Sequence, residues 1–490
     1  ATWEDFASHR DFYSGHFLGL NPTVGLKLGE ATRLTASYEY AEDRRTTDRG
    51  VPSLGGLPIK GYDNSFFGVA ALNQSETTAH IARLRLDHEF GDSLKADLTA
   101  QYASYDKYYG NVYPRSATAT TVELEGYNSA TRRTNWVVQG NLVWKGETLG
   151  LTHQLLAGFE AGEQDTDSLR SEAFFGTAAR VTVPLAAVLT VPAASFGPVS
   201  RSSRSDVRTL SAYVQDQIDL GDHIKLVAGL RYDSFRIASN NRINKFGASR
   251  EDGKWSPRLG LIVKPQENLS FYASFAKSFL PQSGDQFTVL DATTATLAPE
   301  EFRNLELGAK WDLTERLALT AALYQLDRKN TRATDPVTGN AVLSGSSRAK
   351  GFEAALVGQL AHNLQVTLGY ALQDGEIRTT TTAAPAGRPL AQLPRHQASA
   401  FARYNVTDKL GFALGVLHQS SQFATISNAV RLPAFTRVDA AVFYDLSDRV
   451  ALQVNVENLA DADYFPSAHT DNNITTGKPL NAKLTLRVKL

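Results

Sequence analysis

Residues Leu480–Leu490, at the end of the chain, read LNAKLTLRVKL. Leucine, alanine or valine stands at every second position, with asparagine, lysine, threonine or arginine between them. Because successive side chains of a β-strand point to opposite faces of its sheet, this alternation predicts a strand with one apolar and one polar face. The same period of two recurs in the segments Ala82–Asp87, Leu94–Tyr102, Leu364–Tyr370 and Val450–Glu457.

Short polar turns and long polar loops alternate between the predicted strands. The turns lie at residues 29–31, 91–93, 145–148, 220–222, 264–268, 312–316, 360–363, 406–409 and 446–449. The long loops are Arg44–Thr77, Tyr108–Ala130, Ser168–Asp206 and Phe279–Glu300. The turns define hairpins, and a final strand over Lys478–Leu490 and a first remnant at Ala1–Ser8 bring the total to about twenty strands.

Long strands joined by short turns at one end and by long loops at the other are typical of a transmembrane antiparallel β-barrel, an all-β fold. Each strand needs about 9–11 residues to cross a bilayer, whereas strands of soluble proteins usually have about 5–6 residues. The strand length therefore disfavours the alternative, a soluble β-sandwich or propeller. We expect Leu364, Val366 and Leu368 to face lipid, and Gln365 and Thr367 to face the lumen.

The composition disfavours several other classes of protein. Lys and Arg number 50 against 51 Asp and Glu, so the chain lacks the basic excess that is typical of nucleic-acid binders. It has no cysteine, which rules out disulfides, zinc–thiolate sites and thiol nucleophiles. No apolar run is long enough for a membrane-spanning helix. No catalytic motif indicates an enzyme, and we predict neither a metal site nor a cofactor.

Several segments, in their order and spacing, resemble the barrel of TonB-dependent ferric-siderophore receptors over nearly the whole chain. They are YEYAEDRRTTDRGVPS (Tyr38–Ser53), YDKYYGNVYP (Tyr105–Pro114), AYVQDQIDL (Ala212–Leu220), GLRYDSF (Gly229–Phe235), SPRLGLIVKPQENLSFYASFAKSFLPQSGDQF (Ser256–Phe287), LAPEEFRNLELGAKWDL (Leu297–Leu313) and VNVENLADADYF (Val454–Phe465). The first two segments, together with FLPQSGDQF (Phe279–Phe287), are most similar to receptors for catecholate siderophores.

This resemblance implies a 22-stranded barrel that an N-terminal plug domain fills from inside. By the same comparison, residues 1–490 correspond to the end of the third strand through the last strand, and the plug domain is absent from this chain. Methionine is also absent and the first residue is Ala1. We therefore expect a fragment or an edited version of a longer protein, which by itself would form an open pore without active iron uptake.

The resemblance also implies a function, which is uptake of ferric siderophores across the outer membrane of a Gram-negative bacterium. The implied receptor is a monomer surrounded by outer-membrane lipid and lipopolysaccharide. Its ligand is a ferric siderophore, and it contacts the TonB complex only through the plug. Two alternatives stay open: a passive diffusion porin, and a TonB-dependent receptor for another cargo such as haem, cobalamin or a glycan.

Arginine and aromatic residues of the long loops are the candidate ligand contacts. A ferric catecholate is a bulky anion with aromatic faces, and a guanidinium group offers it both charge and stacking. The candidates are Arg44, Arg45, Arg49, Tyr62, Phe66, Phe67, Tyr108, Tyr109, Tyr113, Arg115, Phe174, Phe175 and Phe287. We expect the loops Arg44–Thr77 and Tyr108–Ala130 to converge over the pore mouth. The acidic neighbours Glu42, Asp43 and Asp48 leave open the alternative of a solvated, ion-paired surface.

Aromatic residues near the loop ends of the strands have a different predicted role. In a membrane barrel they form a girdle at the boundary between lipid and water. The residues predicted for this girdle are Tyr38, Tyr40, Tyr102, Tyr105, Tyr232, Phe235, Phe275 and Phe279, whereas Tyr108 and Tyr109 stay open between the girdle and ligand contact.

Overall fold

A computed structural model describes residues 1–281, 298–334, 341–381 and 384–489. Regular secondary structure in these ranges is β-strand, and no helix within them is long and apolar enough to cross a membrane. The strands are β1 (Thr2–Ala7), β2 (Ser14–Leu20), β3 (Thr23–Lys27), β4 (Thr32–Thr46), β5 (Ser53–Leu54), β6 (Leu57–Pro58), β7 (Gln74–Glu89), β8 (Leu94–Ala117), β9 (Thr121–Thr148), β10 (Leu151–Phe175), β11 (Val181–Pro184), β12 (Ala194–Asp219), β13 (Ile224–Asn241), β14 (Gly247–Gln266), β15 (Leu269–Leu280), β16 (Glu300–Thr314), β17 (Leu317–Thr334), β18 (Ala341–Ala361), β19 (Leu364–Ile377), β20 (His396–Asn405), β21 (Leu410–Gln419), β22 (Gln422–Phe423), β23 (Arg431–Leu432), β24 (Phe435–Ser447), β25 (Val450–Glu457), β26 (Ser467–Thr470), β27 (Asn473–Thr475) and β28 (Asn481–Val488).

In the described ranges, 22 of these strands belong to one large antiparallel sheet. β2 and β3 pair with successive parts of β4, so they form one run that is interrupted at Asn21 and Pro22. Pro22 has no backbone N–H to continue the ladder. β11 adds only 4 residues beside β9. If β2 and β3 are counted as one strand and the short β11 is omitted, the 22 strands of the sheet agree with the prediction of about twenty.

The two ends of the sheet are formed by its first and last strands. Among the described residues, β1 pairs only with β2, and β28 pairs only with β25. No pairing in these ranges therefore joins the first strand to the last.

Most predicted short turns lie at or beside the gaps between successive strands, but the turn predicted at residues 145–148 is wrong, because β9 continues to Thr148 and β10 begins at Leu151. One predicted long loop is also wrong. Residues 90–93 separate β7 from β8, and residues 220–223 separate β12 from β13. The predicted loop Tyr108–Ala130 is instead mostly strand, because β8 continues to Ala117 and β9 begins at Thr121. The predicted loop Ser168–Asp206 is likewise shortened at both ends, since β10 reaches Phe175 and β12 begins at Ala194.

The register of β18, β19 and β20 shows that the sheet has one apolar and one polar face. Leu368 lies opposite Leu356 on β18, whereas Gln365 lies opposite Arg403 on β20. The predicted alternation is confirmed: Leu364, Val366 and Leu368 share the apolar face, and Gln365 and Thr367 share the polar face. Apolar composition assigns the first face to lipid.

Aromatic pairs mark a level on the apolar face. The ring centres of Tyr102 and Trp136 are 4.7 Å apart, and those of Tyr232 and Trp255 are 4.8 Å apart. Pairing places Tyr38 in the same row as Tyr102, through Ala82 of β7. This arrangement fits the predicted girdle.

Two residues predicted for the girdle, and Tyr109, for which the girdle was one of two interpretations, lie on the other face. The register puts Tyr105, Tyr109 and Phe235 on the polar face. Phe235 is buried there against Val207 and Ile237. The girdle prediction is wrong for these residues because aromatic type was read without its position in the two-residue period.

Two compact units divide the chain. The first contains Ala1–Arg49, Asn64–Leu261 and Phe275–Arg303. The second contains Gly50–Asp63, Ile262–Ser274 and Asn304–Leu490. The strands that carry the candidate site, β8, β9, β10 and β12, all belong to the first unit.

Candidate functional site

Four neighbouring strands of the first unit are much longer than a bilayer requires. β8, β9, β10 and β12 have 24, 28, 25 and 26 residues, against the about 9–11 residues that a transmembrane strand needs. The Tyr102–Trp136 pair marks the aromatic level on two of them. Tyr113 lies roughly 35 Å farther along β8, at about 3.3 Å per residue. The distal parts of these strands therefore stand outside the membrane.

Arginine and tyrosine side chains come together on the polar face of these distal parts. We call this set the arginine–tyrosine cluster; it comprises Arg49, Tyr109, Tyr113, Tyr127, Arg170 and Arg201. Tyr127 is at its centre, with the Arg170 guanidinium carbon 3.7 Å from its ring centre. The rings of Tyr109 and Tyr113 meet Tyr127 edge-on, with centres 5.8 and 5.9 Å away. The cluster thus combines a stacked cation with three aromatic faces.

Strand register brings these residues together from distant parts of the sequence. Tyr127 of β9 lies opposite Asn111 of β8 and Glu172 of β10. The next polar-face position of β9, Ser129, lies opposite Tyr109 and Arg170 in the same way. Arg170 in turn lies opposite Arg201 of β12. All of these positions share one face because side chains two residues apart on a strand point the same way.

Arg49 reaches the cluster from the loop that follows β4. Its Nε donates to Asn111 Oδ1 and its Nη2 donates to the Tyr127 hydroxyl, both at 3.3 Å. The loop is held in place by Asn73, which is 1% exposed. Asn73 donates from Nδ2 to Val112 O and accepts at Oδ1 from Val112 N, both at 2.9 Å. The first long loop is therefore fixed to the distal part of β8.

The cluster carries more positive charge than its neighbouring carboxylates neutralise. Glu172 is ion-paired with Arg170 at 2.9 Å. Arg201 has no ion pair among the described residues, and its Nε is buried without a hydrogen-bond partner. Burial, followed by the nearby charge of Arg170, lowers the pKa of Arg201. Asn111 Nδ2 is likewise buried without a partner. The surplus guanidinium charge of the cluster favours an anionic ligand.

Tyr113 remains a neutral hydrogen-bond donor at physiological pH. Burial raises its pKa, and the neighbouring Glu125 carboxylate raises it further. The Tyr113 hydroxyl donates to Glu125 Oε1 at 3.3 Å. Burial also raises the pKa of Tyr127. The cluster therefore presents phenol groups rather than phenolates, beside guanidinium groups.

Several residues predicted from the sequence belong to this cluster or border it. Arg49, Tyr109 and Tyr113 are members. Arg115 lies just beyond them on β8 and is ion-paired with Glu123 at 3.1 Å and Glu125 at 3.2 Å.

The two predicted arginines at the end of β4 lie on opposite faces. Arg44 is in the same row as Tyr108, on the apolar face, and is ion-paired with Glu42 at 2.9 Å. Arg45 is on the polar face, where it pairs with Asp43 and has its guanidinium carbon 4.8 Å from the Phe6 ring centre.

The remaining predicted aromatic residues are outside the cluster. Phe66, Phe67 and Phe175 are buried, and the Phe66 and Phe12 ring centres are 5.8 Å apart. Phe174 is half-buried on β10, and its ring occupies the space beside Gly197. Tyr62 is half-buried in the second unit. Phe287 lies outside the described residues.

The sequence alone does not single out three central members of the cluster, Tyr127, Arg170 and Arg201. Tyr127 lies in the segment predicted as the loop Tyr108–Ala130, and Arg170 and Arg201 lie in the segment predicted as the loop Ser168–Asp206. Equal numbers of residues counted from the β9–β10 turn place Tyr127 opposite Glu172. The β9–β10 register, continued beyond the membrane-spanning residues, is therefore the signal that identifies these positions as neighbours. Among the described residues, no group of three His, Asp or Glu side chains could hold a metal ion.

Comparison with known proteins gives a family match over most of the chain. The family model described as TonB dependent receptor-like, beta-barrel, matches residues 19–459. The chain is 26% identical to the probable TonB-dependent siderophore receptor PiuA of Acinetobacter baumannii, over 96% of this chain and 70% of the relative. It is also 26% identical to the metal-pseudopaline receptor CntO of Pseudomonas aeruginosa, over 99% of this chain and 69% of the relative.

Two further similarities concern catecholate receptors and the fold. The chain is 24% identical to the catecholate siderophore receptor Fiu of Escherichia coli, over 94% of this chain and 67% of the relative. The crystal structure of PiuA from Acinetobacter baumannii superposes with a TM-score of 0.88 at 22% identity, covering 99% of this chain and 76% of that one. The superposition shows that the two chains share a fold.

Proposed function

The chain belongs to the TonB-dependent receptor family of β-barrels, which are outer-membrane proteins of Gram-negative bacteria, and from this premise we propose that it is the barrel of a receptor that takes up ferric siderophores. The chain spans about 70% of the length of the PiuA relative. In this proposal the intact receptor draws its energy from TonB through a plug domain. It acts as a monomer, surrounded by outer-membrane lipid and lipopolysaccharide, and catalyses no reaction.

The arginine–tyrosine cluster is the observation that supports this function. A ferric siderophore complex is bulky, often anionic and rich in oxygen atoms. The cluster offers a surplus of guanidinium donors from Arg49, Arg170 and Arg201 beside neutral phenol rings. Guanidinium groups suit such anions because they supply charge, hydrogen bonds and a flat stacking surface together.

A ferric tris-catecholate is the cargo that this chemistry favours. Its trianionic charge complements the surplus positive charge, and its aromatic rings can stack against Tyr109, Tyr113 and Tyr127. The name of the similar receptor Fiu agrees with a catecholate cargo. The name of CntO, a metal-pseudopaline receptor, supports a second candidate, which is a metal complex of another anionic chelator.

Binding of a panel of ferric complexes to the purified chain in detergent tests the proposal. Intrinsic fluorescence is followed during titration with a ferric tris-catecholate, a ferric trihydroxamate, ferric citrate and haem. We expect saturable quenching by the tris-catecholate at the lowest concentration. If only one of the other complexes gave saturable quenching, the cargo would belong to the chemical class of that complex. Passive conductance in planar bilayers with no saturable binding of any complex would support a diffusion porin instead.

A further inference from the structure

A deeply buried ion pair lies beside the arginine–tyrosine cluster but outside it. Arg10, in the loop between β1 and β2, donates from Nε to Asp48 Oδ2 at 2.5 Å and from Nη2 to Asp48 Oδ1 at 3.1 Å. The two side chains are only 5% and 9% exposed. Two parallel hydrogen bonds between planar groups fix both distance and orientation. The pair therefore holds the β1–β2 loop to the residues that follow β4.

Packing around this ion pair joins the β1–β2 loop to the first long loop. The backbone N–H of Asp11 donates to Asn64 O at 2.8 Å. The ring centres of Phe12 and Phe66 are 5.8 Å apart, and Phe66 is buried. The charged contact is thus made within a packed surface between the two loops, where salt and water screen it only weakly.

Asp48 is the middle residue of a short segment, Thr47–Arg49, which we call the strap. The Thr47 hydroxyl donates to Gly110 O of β8, and Arg49 donates from Nε to Asn111 Oδ1 of the same strand. Asp48, between them, contacts the β1–β2 loop instead. This alternation is that of an extended chain, in which successive side chains point to opposite sides. The strap is therefore held from both sides, by β8 and by the β1–β2 loop.

Arg49 depends on the strap for its position because its own contacts in the cluster are weak. Its hydrogen bonds to Asn111 and to the Tyr127 hydroxyl are both 3.3 Å long, which is beyond the usual range for N–H···O bonds. Neither partner is a carboxylate. Arg49 is half-buried, and a guanidinium group has more N–H donors than these two contacts use. The remaining donors reach a ligand only while the strap stays in place.

Buried ion pairs are better suited to fixing geometry than to adding stability. The attraction between the two charges is largely offset by the cost of removing them from water, so apolar residues of similar size are often as stable. Apolar replacements lose the orientation that parallel N–H···O bonds impose. The pair of Arg10 and Asp48 therefore has the properties of a positioning element.

We propose that Arg10 and Asp48 are positioning residues of the cargo site. Their ion pair holds the strap so that Arg49 directs its guanidinium group at an anionic ligand in the arginine–tyrosine cluster. This inference rests on the function proposed above for the cluster. It adds the β1–β2 loop to the elements on which cargo affinity depends, although Arg10 acts only through Arg49.

Titration of the purified chain in detergent with a ferric tris-catecholate, followed by intrinsic fluorescence, tests this role. We expect Arg49→Met to bind about tenfold more weakly than the wild type, the factor for one desolvated contact of arginine with an aromatic ligand. Arg10→Met/Asp48→Leu, which removes both charges together, should lose most of this factor, about fivefold, with an unchanged urea midpoint. Combined with Arg49→Met, it should cost less than about twofold more.

Two further variants keep this test decisive. Arg10→Lys retains the charge but not the parallel hydrogen bonds, so it should show a smaller loss of affinity, and it replaces the double variant if that variant does not fold. Arg250→Met/Asp252→Leu is the matched control, because this pair of β14 is similar in length, at 2.6 Å, and in exposure, at 14% and 9%. The control should bind within about twofold of the wild type.

Two results of the titration would overturn the proposal. The first is equal affinity of Arg10→Met/Asp48→Leu and the wild type. The second is a fully additive loss when this variant is combined with Arg49→Met, because a residue that acts through Arg49 has no effect once Arg49 is gone.

A measurement without ligand separates a failure of this proposal from a failure of the proposed function. The Thr47 N–H donates to Asn73 O at 3.1 Å, so hydrogen exchange at this amide reports whether the strap stays in place. We expect exchange about tenfold faster in Arg10→Met/Asp48→Leu and unchanged in the β14 control. Unchanged exchange in the former variant would overturn the positioning role. Faster exchange, with no ferric complex bound by the wild type, would support the hold on the strap and contradict only the proposed function.

Discussion

Arg170 and Arg201 lie directly opposite each other on β10 and β12, on the polar face, and Glu172 pairs with only the first of them. Arg170 is also held by stacking on Tyr127. Arg201 has a buried Nε without a partner. A protein optimised for stability alone would not keep such a pair, because each buried unsatisfied donor costs about 1–3 kcal/mol. The arrangement is understandable if a ligand brings negative charge to the two guanidinium groups.

Replacement of Arg201 should therefore stabilise the protein while weakening its binding of the ligand. We expect Arg201→Met to raise the free energy of unfolding by about 1–3 kcal/mol, because it removes both the unsatisfied donor and the repulsion with Arg170. The same variant should bind the ferric complex more weakly. Urea titration in detergent, followed by fluorescence, measures the first effect. Arg83→Met should change stability by less than about 0.5 kcal/mol; a loss of stability in Arg201→Met would show that Arg201 has a structural role.

Asn73 should be essential for holding the first long loop against β8. Its side chain makes hydrogen bonds in both directions with Val112, and Nδ2 also donates to Thr47 O at 3.0 Å. We expect Asn73→Ala to lower the free energy of unfolding by about 1–3 kcal/mol, since buried groups of Val112 lose their partners. The exposed Asn64 of the same loop is the control, and Asn64→Ala should be nearly neutral. Equal urea midpoints for both variants would contradict this account.

Gly50 should not tolerate a side chain, for two reasons. Its φ is +75°, and an added Cβ would collide with the backbone of Ile474. Val51 and Ile474 exchange two backbone hydrogen bonds at this place, at 2.8 and 3.0 Å. We expect Gly50→Ala to cost at least about 1–3 kcal/mol from backbone strain alone. Gly247→Ala, in a strand where the nearest atom is 3.9 Å away, should be tolerated, and similar urea midpoints for the two variants would refute the prediction.

The raised pKa of Tyr113 predicts how stability depends on pH in the alkaline range. In the unfolded chain this phenol ionises near its ordinary pKa of about 10. In the folded protein, burial and then Glu125 hold the pKa above that value. The folded state therefore loses relative stability as pH rises above about 10. We expect the free energy of unfolding of Tyr113→Phe to fall less steeply there. If the free energy of unfolding fell equally steeply with pH in the variant and the wild type, the result would contradict the burial of this phenol.

Much of the membrane-spanning part of the fold was predictable because lipid imposes a pattern on the sequence. An apolar side chain must face the bilayer at every second position, so the alternation in segments such as Leu364–Tyr370 indicates which residues lie on each face of the strand. Most of the short turns that separate such segments were predictable for the same reason, but the turn between β9 and β10 was placed too early, inside β9.

The distal strands were not predictable in this way because no lipid surrounds them. Tyr108–Ala130 lacks a continuous apolar face, so the sequence predicts a loop there although the segment continues β8 and β9. Tyr127 and Arg170 are far apart in sequence and meet only through the register. The burial of Phe66 against Phe12 is also a tertiary contact that no local pattern reveals. Residue type identified Arg49, Tyr109 and Tyr113, but only strand pairing assembles the cluster.

The most direct test of the central claim is the affinity of a ferric tris-catecholate for the Arg170→Met/Arg201→Met variant, measured by fluorescence titration in detergent at low and high salt. Each desolvated contact of arginine with an aromatic ligand contributes about 1–2 kcal/mol, and about 1.4 kcal/mol is a factor of ten. We predict that the variant binds at least tenfold more weakly than the wild type, most clearly at low salt, whereas Arg83→Met/Arg85→Met binds within about twofold of it. Equal affinity of the cluster variant and the wild type would contradict the assignment of this cluster as the siderophore site.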